Sequence, residues 1–227
     1  MTETALDFSD EDVQKMLDNL DSFSQEEVVE IDRIVNELAS RKQNELAFND
    51  LVEFCKRMQP DYIVGEHHRI LADMLMGIER GEKDRICVNI PPRHGKSQLV
   101  SIYFPAWFLG RNPNKKVMMV SHTTDLAVAR TRLMPGGRVA IIQTRWHMDD
   151  LTGRVTKDMV NNDLSDQYDV VEFPAILDTT NKEGEPIQKP LWPEFFDMDA
   201  LLRTKASMPV FQWNAQYQQE PTAEEAA

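Results

Sequence analysis

Along the first sixty residues the apolar positions recur every three to four residues. Val13, Met16, Leu17 and Leu20 form one stripe, and Val28, Ile31, Val35 and Leu38 form a second. That spacing puts each set on one face of an amphipathic helix. Ser24 and Glu27 open the second helix with a capping-box pattern. Leu46, Leu51, Phe54, Cys55 and Met58 predict a further helix over residues 45–58, stopped by Pro60. A loop from Asp61 and a helix running to Gly81 follow. The pattern then changes to short apolar runs. Ile86 to Ile90, Lys116 to Ser121, Arg138 to Thr144 and Tyr168 to Phe173 read as buried strands. Helices are expected between them, over residues 98–109 with a kink near Pro105, over 125–132 and over 149–161. A polar, proline-containing loop at 178–196 precedes two helices, at 197–206 and 209–219. Strands alternating with helices predict an α/β fold, a parallel sheet flanked by helices, carrying a helical N-terminal extension.

Charge sharpens this division. The 227 residues carry a net charge of −13, spread unevenly. Residues 1–30 hold ten acids and one lysine, a net of −9, whereas residues 81–154 hold twelve Lys/Arg and five Asp/Glu, a net of +7. An acidic total therefore does not exclude a polyanionic partner for the basic middle. No apolar run approaches the ~20 residues of a membrane span, and the acidic N-terminus lacks the layout of a signal peptide. Cys55 and Cys87 form no metal-like spacing and read as core residues of a reduced protein. His67 and His68 are adjacent, so on a helix they are poorly placed to share one metal. The aromatic and polar loop before them is a candidate for contacting an adenine base.

The most specific chemistry lies at the end of the first strand. Ile86 to Ile90 is followed by a tight loop, Pro91 to Gly95, and then by Lys96-Ser97 at the start of an apolar-rich helix. Strand, loop, Gly-Lys-Ser and helix is the context of a phosphate-binding loop, although Ile90 stands where the usual pattern has its first glycine. Pro92, Arg93, His94, Gly95, Lys96 and Ser97 are the candidate nucleotide-binding residues. Backbone N–H groups around Gly95 would face phosphate oxygens, Lys96 would reach the β- and γ-phosphates, and the Ser97 hydroxyl would ligate Mg²⁺. The third strand ends in Gln143-Thr144-Arg145, close to Asp149 and Asp150. In an open α/β sheet such carboxyl ends gather at the ligand crevice. Gln143 and Thr144 are candidates for sensing a γ-phosphate or orienting water, and Arg145 for neutralising charge. Asp149 and Asp150 suit a helix N-cap and first turn better than a metal site.

The chain resembles the large terminase subunit of tailed bacteriophages. The segments that carry the resemblance are Gly65-Glu-His-His, Ile90-Pro-Pro-Arg-His-Gly-Lys-Ser97, Phe104-Pro-Ala-Trp-Phe-Leu-Gly110 and Val120-Ser-His, then Gly136 to Gly153, Leu191-Trp-Pro193 and Ala215-Gln-Tyr-Gln-Gln219. It implies a P-loop NTPase-like ATPase region over residues 45–220, after an acidic helical extension at 1–44 and before a tail at 221–227. It implies ATP and Mg²⁺ as cofactors, with Lys96 and Thr144 as catalytic residues, Thr144 lying in the motif that couples hydrolysis to movement. The implied activity is packaging of double-stranded DNA into the procapsid in the host cytoplasm. The implied partners are the portal protein, the small terminase subunit and further copies of the chain at the portal vertex. The sequence departs from the family in two places. The acid-bearing strand that holds Mg²⁺ and polarises water is missing near residues 130–134, and a nuclease domain is not found after Gln219. The departures predict a chain that does not cut DNA, and they raise an alternative: a nucleotide- or partner-binding remnant without turnover. They also predict a one-strand gap in the sheet, so that the second strand shifts inward, pairs elsewhere or leaves an edge.

Overall fold

The computed structural model describes residues 10–19, 22–119 and 136–222. The expected helix at 125–132 and the Leu20 position lie outside them. The chain forms two compact units, Met1–Pro60 and Asp61–Ala227.

The first unit is helical: α1 (Asp10–Asp18), α2 (Gln25–Asn49) and α3 (Leu51–Met58). Ser24 caps α2 as its sequence predicts, with the Ser24 N–H 2.8 Å from a Glu27 carboxylate oxygen. Ile31 and Ile34 are buried on α2, and Leu51, Val52 and Cys55 on α3. The helix expected over 45–58 is divided instead. Its first part continues α2, and Asp50 then takes an extended backbone and accepts the N–H groups of Val52 at 2.8 Å and Glu53 at 2.9 Å. That cap satisfies the donors of a new helix and lets it turn back, so that Arg57 reaches Ser40, Gln43 and Asn44 of α2. Leu46 and Met58, expected on the buried stripe, are exposed.

The second unit is mixed helix and sheet. α4 (Glu66–Arg80) leads into β1 (Arg85–Asn89), which pairs in parallel with β2 (Val139–Gln143) on one side and β3 (Asp169–Glu172) on the other. Residues Ile86 to Ile90 have no exposed surface, as a central parallel strand covered on both faces requires. Cys87 packs with Ile141, Val155 and Tyr168 beneath α7 (Leu151–Asn161), while Ile86 and Val88 project to the opposite face. Between β1 and β2 the chain winds through α5 (Lys96–Gln98), a π turn at Leu99–Tyr103 and α6 (Phe104–Arg111). The irregularity expected near Pro105 is this π turn, where the Phe104 N–H bonds the Leu99 carbonyl five residues back, just before a proline with no N–H to give.

Two strand expectations are corrected. Lys116 to Met119, the described part of the expected second strand, is not a strand, and Met118 and Met119 are exposed. Among the described residues no strand pairs with it, and β2 has no second neighbour. Among the described residues β2 is thus an edge of the sheet. The supposed loop at 178–196 contains instead most of an antiparallel hairpin, β4 (Ile176–Thr180) with β5 (Pro186–Pro190). Its prolines hid it. They occupy the two ends of β5, where a missing N–H disturbs the ladder least. Ala175 and Ile176 share a second small core with Leu201 of α8 (Met198–Ala206) and Trp213 of α9 (Val210–Gln216).

A polar chain ties the carboxyl ends of all three parallel strands. Buried Arg145, just past β2, holds both Asp150 oxygens with Nε, at 3.1 and 3.0 Å, and Glu172 Oε1 of β3 with Nη1 at 3.0 Å. Asn89 of β1 donates to the same Glu172 oxygen at 3.0 Å and accepts from Thr152 Oγ1 at 2.8 Å. Asp150 also caps α7 through the Gly153 N–H. Burial alone would raise its carboxyl pKa; the N–H groups of Gly153 and Trp146 and the Arg145 guanidinium outweigh it and hold the pKa below the usual carboxylate range. Replacing Arg145 by Met strands Asp150 as a largely buried, unpaired charge. Arg145→Met is expected to destabilise this unit by about 3–5 kcal/mol in a denaturant titration.

Candidate functional site

The loop from Ile90 to Gly95 leaves the buried end of β1 and is anchored at both ends. At its start the Ile90 N–H bonds the Gln143 carbonyl at 2.9 Å, and Thr144 Oγ1 donates to the Ile90 carbonyl at 2.7 Å. At its end Gly95 adopts a left-handed backbone with φ of 74°, and its carbonyl accepts the Leu99 N–H to start the helix. A Cβ added at Gly95 would lie 2.2 Å from Nε2 of His68. Glycine is needed there for backbone and for space.

The neighbour that crowds Gly95 is part of a buried histidine cluster. His67, His68 and His94 have no exposed surface. Their tautomers follow from their partners, because a carbonyl only accepts and a backbone N–H only donates. His68 Nδ1 accepts the Gly65 N–H at 3.0 Å, closing the N-terminus of α4, so its Nε2–H donates to the His94 carbonyl at 3.1 Å. His67 Nε2–H donates to the same carbonyl at 3.2 Å. His94 turns its own Nδ1–H to the Pro92 carbonyl at 2.8 Å. Trp192, just after β5, meets His68 edge-on at 4.7 Å between ring centroids, and Phe196 stacks on His94 at 5.1 Å. The Gly65-Glu-His-His and Leu191-Trp-Pro segments thus build the wall behind the loop. Reading His67 and His68 only as a weak metal pair missed this, and the usable signal was their place next to a helix-capping glycine. Among the described residues no group of three His, Cys, Asp or Glu is arranged to hold a metal.

The end of the loop carries unsatisfied donors. The N–H groups of Gly95, Lys96 and Ser97 meet no protein acceptor among the described residues. Burial lowers the Lys96 pKa, yet no carboxylate pairs with Lys96 among the described residues. Arg93, at φ of 61°, and Ser97 are exposed. Three consecutive N–H groups at a helix start and a partly desolvated cation suit an anion with several oxygens.

The other expected site residues are engaged with protein. Gln143 Nε2 donates to Thr152 Oγ1 at 2.6 Å, and the Thr144 hydroxyl donates its proton to Ile90. Arg145 is committed to Asp150 and Glu172. Asp149 is exposed and 3.5 Å from Arg154, so of the two acids Asp150 alone is the cap. Most of the described basic residues in 81–154 are likewise paired: Lys83 with Asp169, Arg85 with Asp166, Arg111 with Glu79 and Arg138 with Asp84. Arg93, Lys96, Lys115 and Lys116 have no ion pair among the described residues. Gln218 and Gln219 serve the frame. Gln218 bonds both backbone groups of Ile176, and Gln219 Oε1 accepts the Arg145 N–H at 3.1 Å.

No protein-family model matches the chain, and no curated protein does.

Burial holds the three imidazoles neutral, His67 with a pKa of about 3 and His68 of about 4, with His94 also lowered. In an unfolded chain each takes up a proton near pH 6.5. The unfolded state therefore binds more protons below that pH. The contribution of this neutral histidine cluster is complete above about 6.5 and is lost as pH falls toward the folded values, by about 1.4 kcal/mol per histidine for each pH unit. Urea midpoints are expected to fall between pH 7.5 and 5, before the carboxylates titrate; a flat midpoint across that range contradicts three buried neutral rings.

Proposed function

We propose that the chain binds the phosphates of ATP on the loop from Pro92 to Ser97, as a P-loop protein of the terminase large-subunit kind. The observation that carries the reading is the run of N–H groups at Gly95, Lys96 and Ser97, beside a partly desolvated Lys96; among the described residues the N–H groups lack protein acceptors and Lys96 lacks an ion pair. Its setting adds support: the loop follows the buried carboxyl end of the central strand of a parallel sheet, where open α/β proteins bind ligands. In this reading the N–H groups cradle the β-phosphate and Lys96 neutralises charge toward the γ-phosphate. The exposed Ser97 hydroxyl suits a single protein ligand for Mg²⁺, an ion that keeps most of its shell as water and phosphate oxygens. Thr144 fixes the loop's first carbonyl, so any displacement of the loop on binding is felt at the end of β2.

Packaging of double-stranded DNA, with portal and small terminase partners and with other copies of the chain, belongs to the same proposal. It rests on the order of the terminase-like segments. Among the described residues of 81–154, Arg93, Lys115 and Lys116 are cations outside the loop's Lys96 that carry no ion pair and suit a phosphate backbone. Removing all three is expected to flatten the salt dependence of DNA binding, by about 0.9 in log–log slope for each phosphate that is no longer neutralised.

One observation favours the second reading, binding without turnover. Asp150 and Glu172 are tied to Arg145, and Asp149 pairs with Arg154, so these carboxylates at the strand ends are engaged rather than poised to activate water. Losing a positioned base costs a factor of roughly 10² to 10⁴ in rate. Calorimetry with a non-hydrolysable ATP analogue and Mg²⁺ is expected to show binding that Lys96→Ala weakens about 10- to 100-fold, the share of one charge-assisted hydrogen bond. Phosphate release from ATP by the same protein is expected to be far slower than that of a motor with a positioned base. Affinity that ignores Lys96→Ala overturns the proposal, and fast Lys96-dependent turnover overturns the second reading.

A further inference from the structure

The His94 carbonyl accepts two hydrogen bonds, from His67 at 3.2 Å and His68 at 3.1 Å. Two donors on one buried carbonyl are more than satisfaction requires. The same peptide plane carries the Gly95 N–H. In a trans peptide the C=O and N–H point to opposite sides, and none of the peptide bonds described is cis. Holding the carbonyl toward the histidines therefore holds the Gly95 N–H away from them, next in the chain to the Lys96 and Ser97 N–H groups that also lack protein acceptors among the described residues. Hydrogen bonds to the oxygen also polarise the peptide and make its N–H a better donor.

We propose that His67 and His68 are positioning residues for anion binding, fixing the His94–Gly95 peptide so that its N–H is presented to a phosphate oxygen. The inference rests on the phosphate-loop reading above and adds the means by which the loop is preorganised. It also accounts for an uncompensated cost. His67 Nδ1 and His94 Nε2 are buried without hydrogen-bond partners among the described residues. For packing alone an apolar ring at residue 67 would serve better, since it would remove one orphaned nitrogen. A histidine retained there at a cost in stability points to its Nε2–H.

His67 gives the cleaner test, because its hydrogen bonding is confined to the His94 carbonyl whereas His68 also closes α4. The experiment titrates inorganic pyrophosphate calorimetrically into the full chain, and into His67→Phe, His67→Gln and Lys96→Ala, at neutral pH. A urea midpoint is measured for each. The expected result is that His67→Phe keeps or raises the midpoint while binding pyrophosphate about two- to tenfold more weakly, the share of one neutral hydrogen bond. His67→Gln, whose amide N–H can reach the same carbonyl, is expected to recover part of the loss. A purely structural histidine would move the midpoint and leave the affinity of the folded protein alone. If Phe is not accommodated, His67→Met is apolar and flexible enough to carry the same comparison. Unchanged affinity in folded His67→Phe, with Lys96→Ala still defective, overturns the positioning role and leaves the phosphate loop standing. Absence of pyrophosphate binding by the unaltered chain overturns the underlying reading itself.

Discussion

The His94 carbonyl is where the second unit's constraints meet. It lies in a loop that would otherwise be free to turn its peptides either way, and it is fixed by two imidazoles that α4 delivers side by side. His68 can donate to it because the Gly65 N–H occupies its other nitrogen, so the start of α4 and the conformation of the loop are set together. Gly95 must be glycine because the clamp comes so close. Trp192 and Phe196, more than ninety residues later in the chain, keep water from the rings, and neutral rings are what the clamp requires.

A second set of constraints holds the frame on which the clamp works. β1 is buried from Ile86 to Asn89 between β2 and β3, and Arg145 binds the carboxyl ends of all three through Asp150, Glu172 and Asn89. The charged groups that a sequence reader would assign to catalysis are used here for alignment. A strong ion pair of this kind costs desolvation, and what it contributes is register: the ends of three strands are held level, and the loop begins from a fixed point. On the far side of β2 the described residues supply no partner strand, so the described sheet holds three of the four strands that the apolar runs anticipate.

The legible parts were those set by local pattern. The capping box at Ser24, the strands at residues 85–89, 139–143 and 169–172, the C-terminal helices and the strand–loop–helix at Gly95 follow from periodicity and cap chemistry that short windows contain. What was not legible depends on partners distant in sequence. Lys116 to Met119 has a strand-like composition and no neighbour to pair with among the described residues. The hairpin at residues 176–190 was masked by prolines that are harmless at strand ends. Arg145 looked available because its two acids are a turn and a strand away. His67 and His68 were judged by their mutual spacing, when what gives them a role is the carbonyl of a residue twenty-six positions on.

The account stands most directly on the direction of one N–H bond, and the Gly95 amide reports it. In a ¹H–¹⁵N correlation spectrum of the full chain, inorganic pyrophosphate is expected to move the Gly95 amide proton downfield, saturably, with Lys96 and Ser97 following and the imidazole protons of His67 and His68 unchanged. A Gly95 amide that stays in place while Lys96 or surface lysines respond would contradict it, because the clamped peptide would then face something other than the ligand.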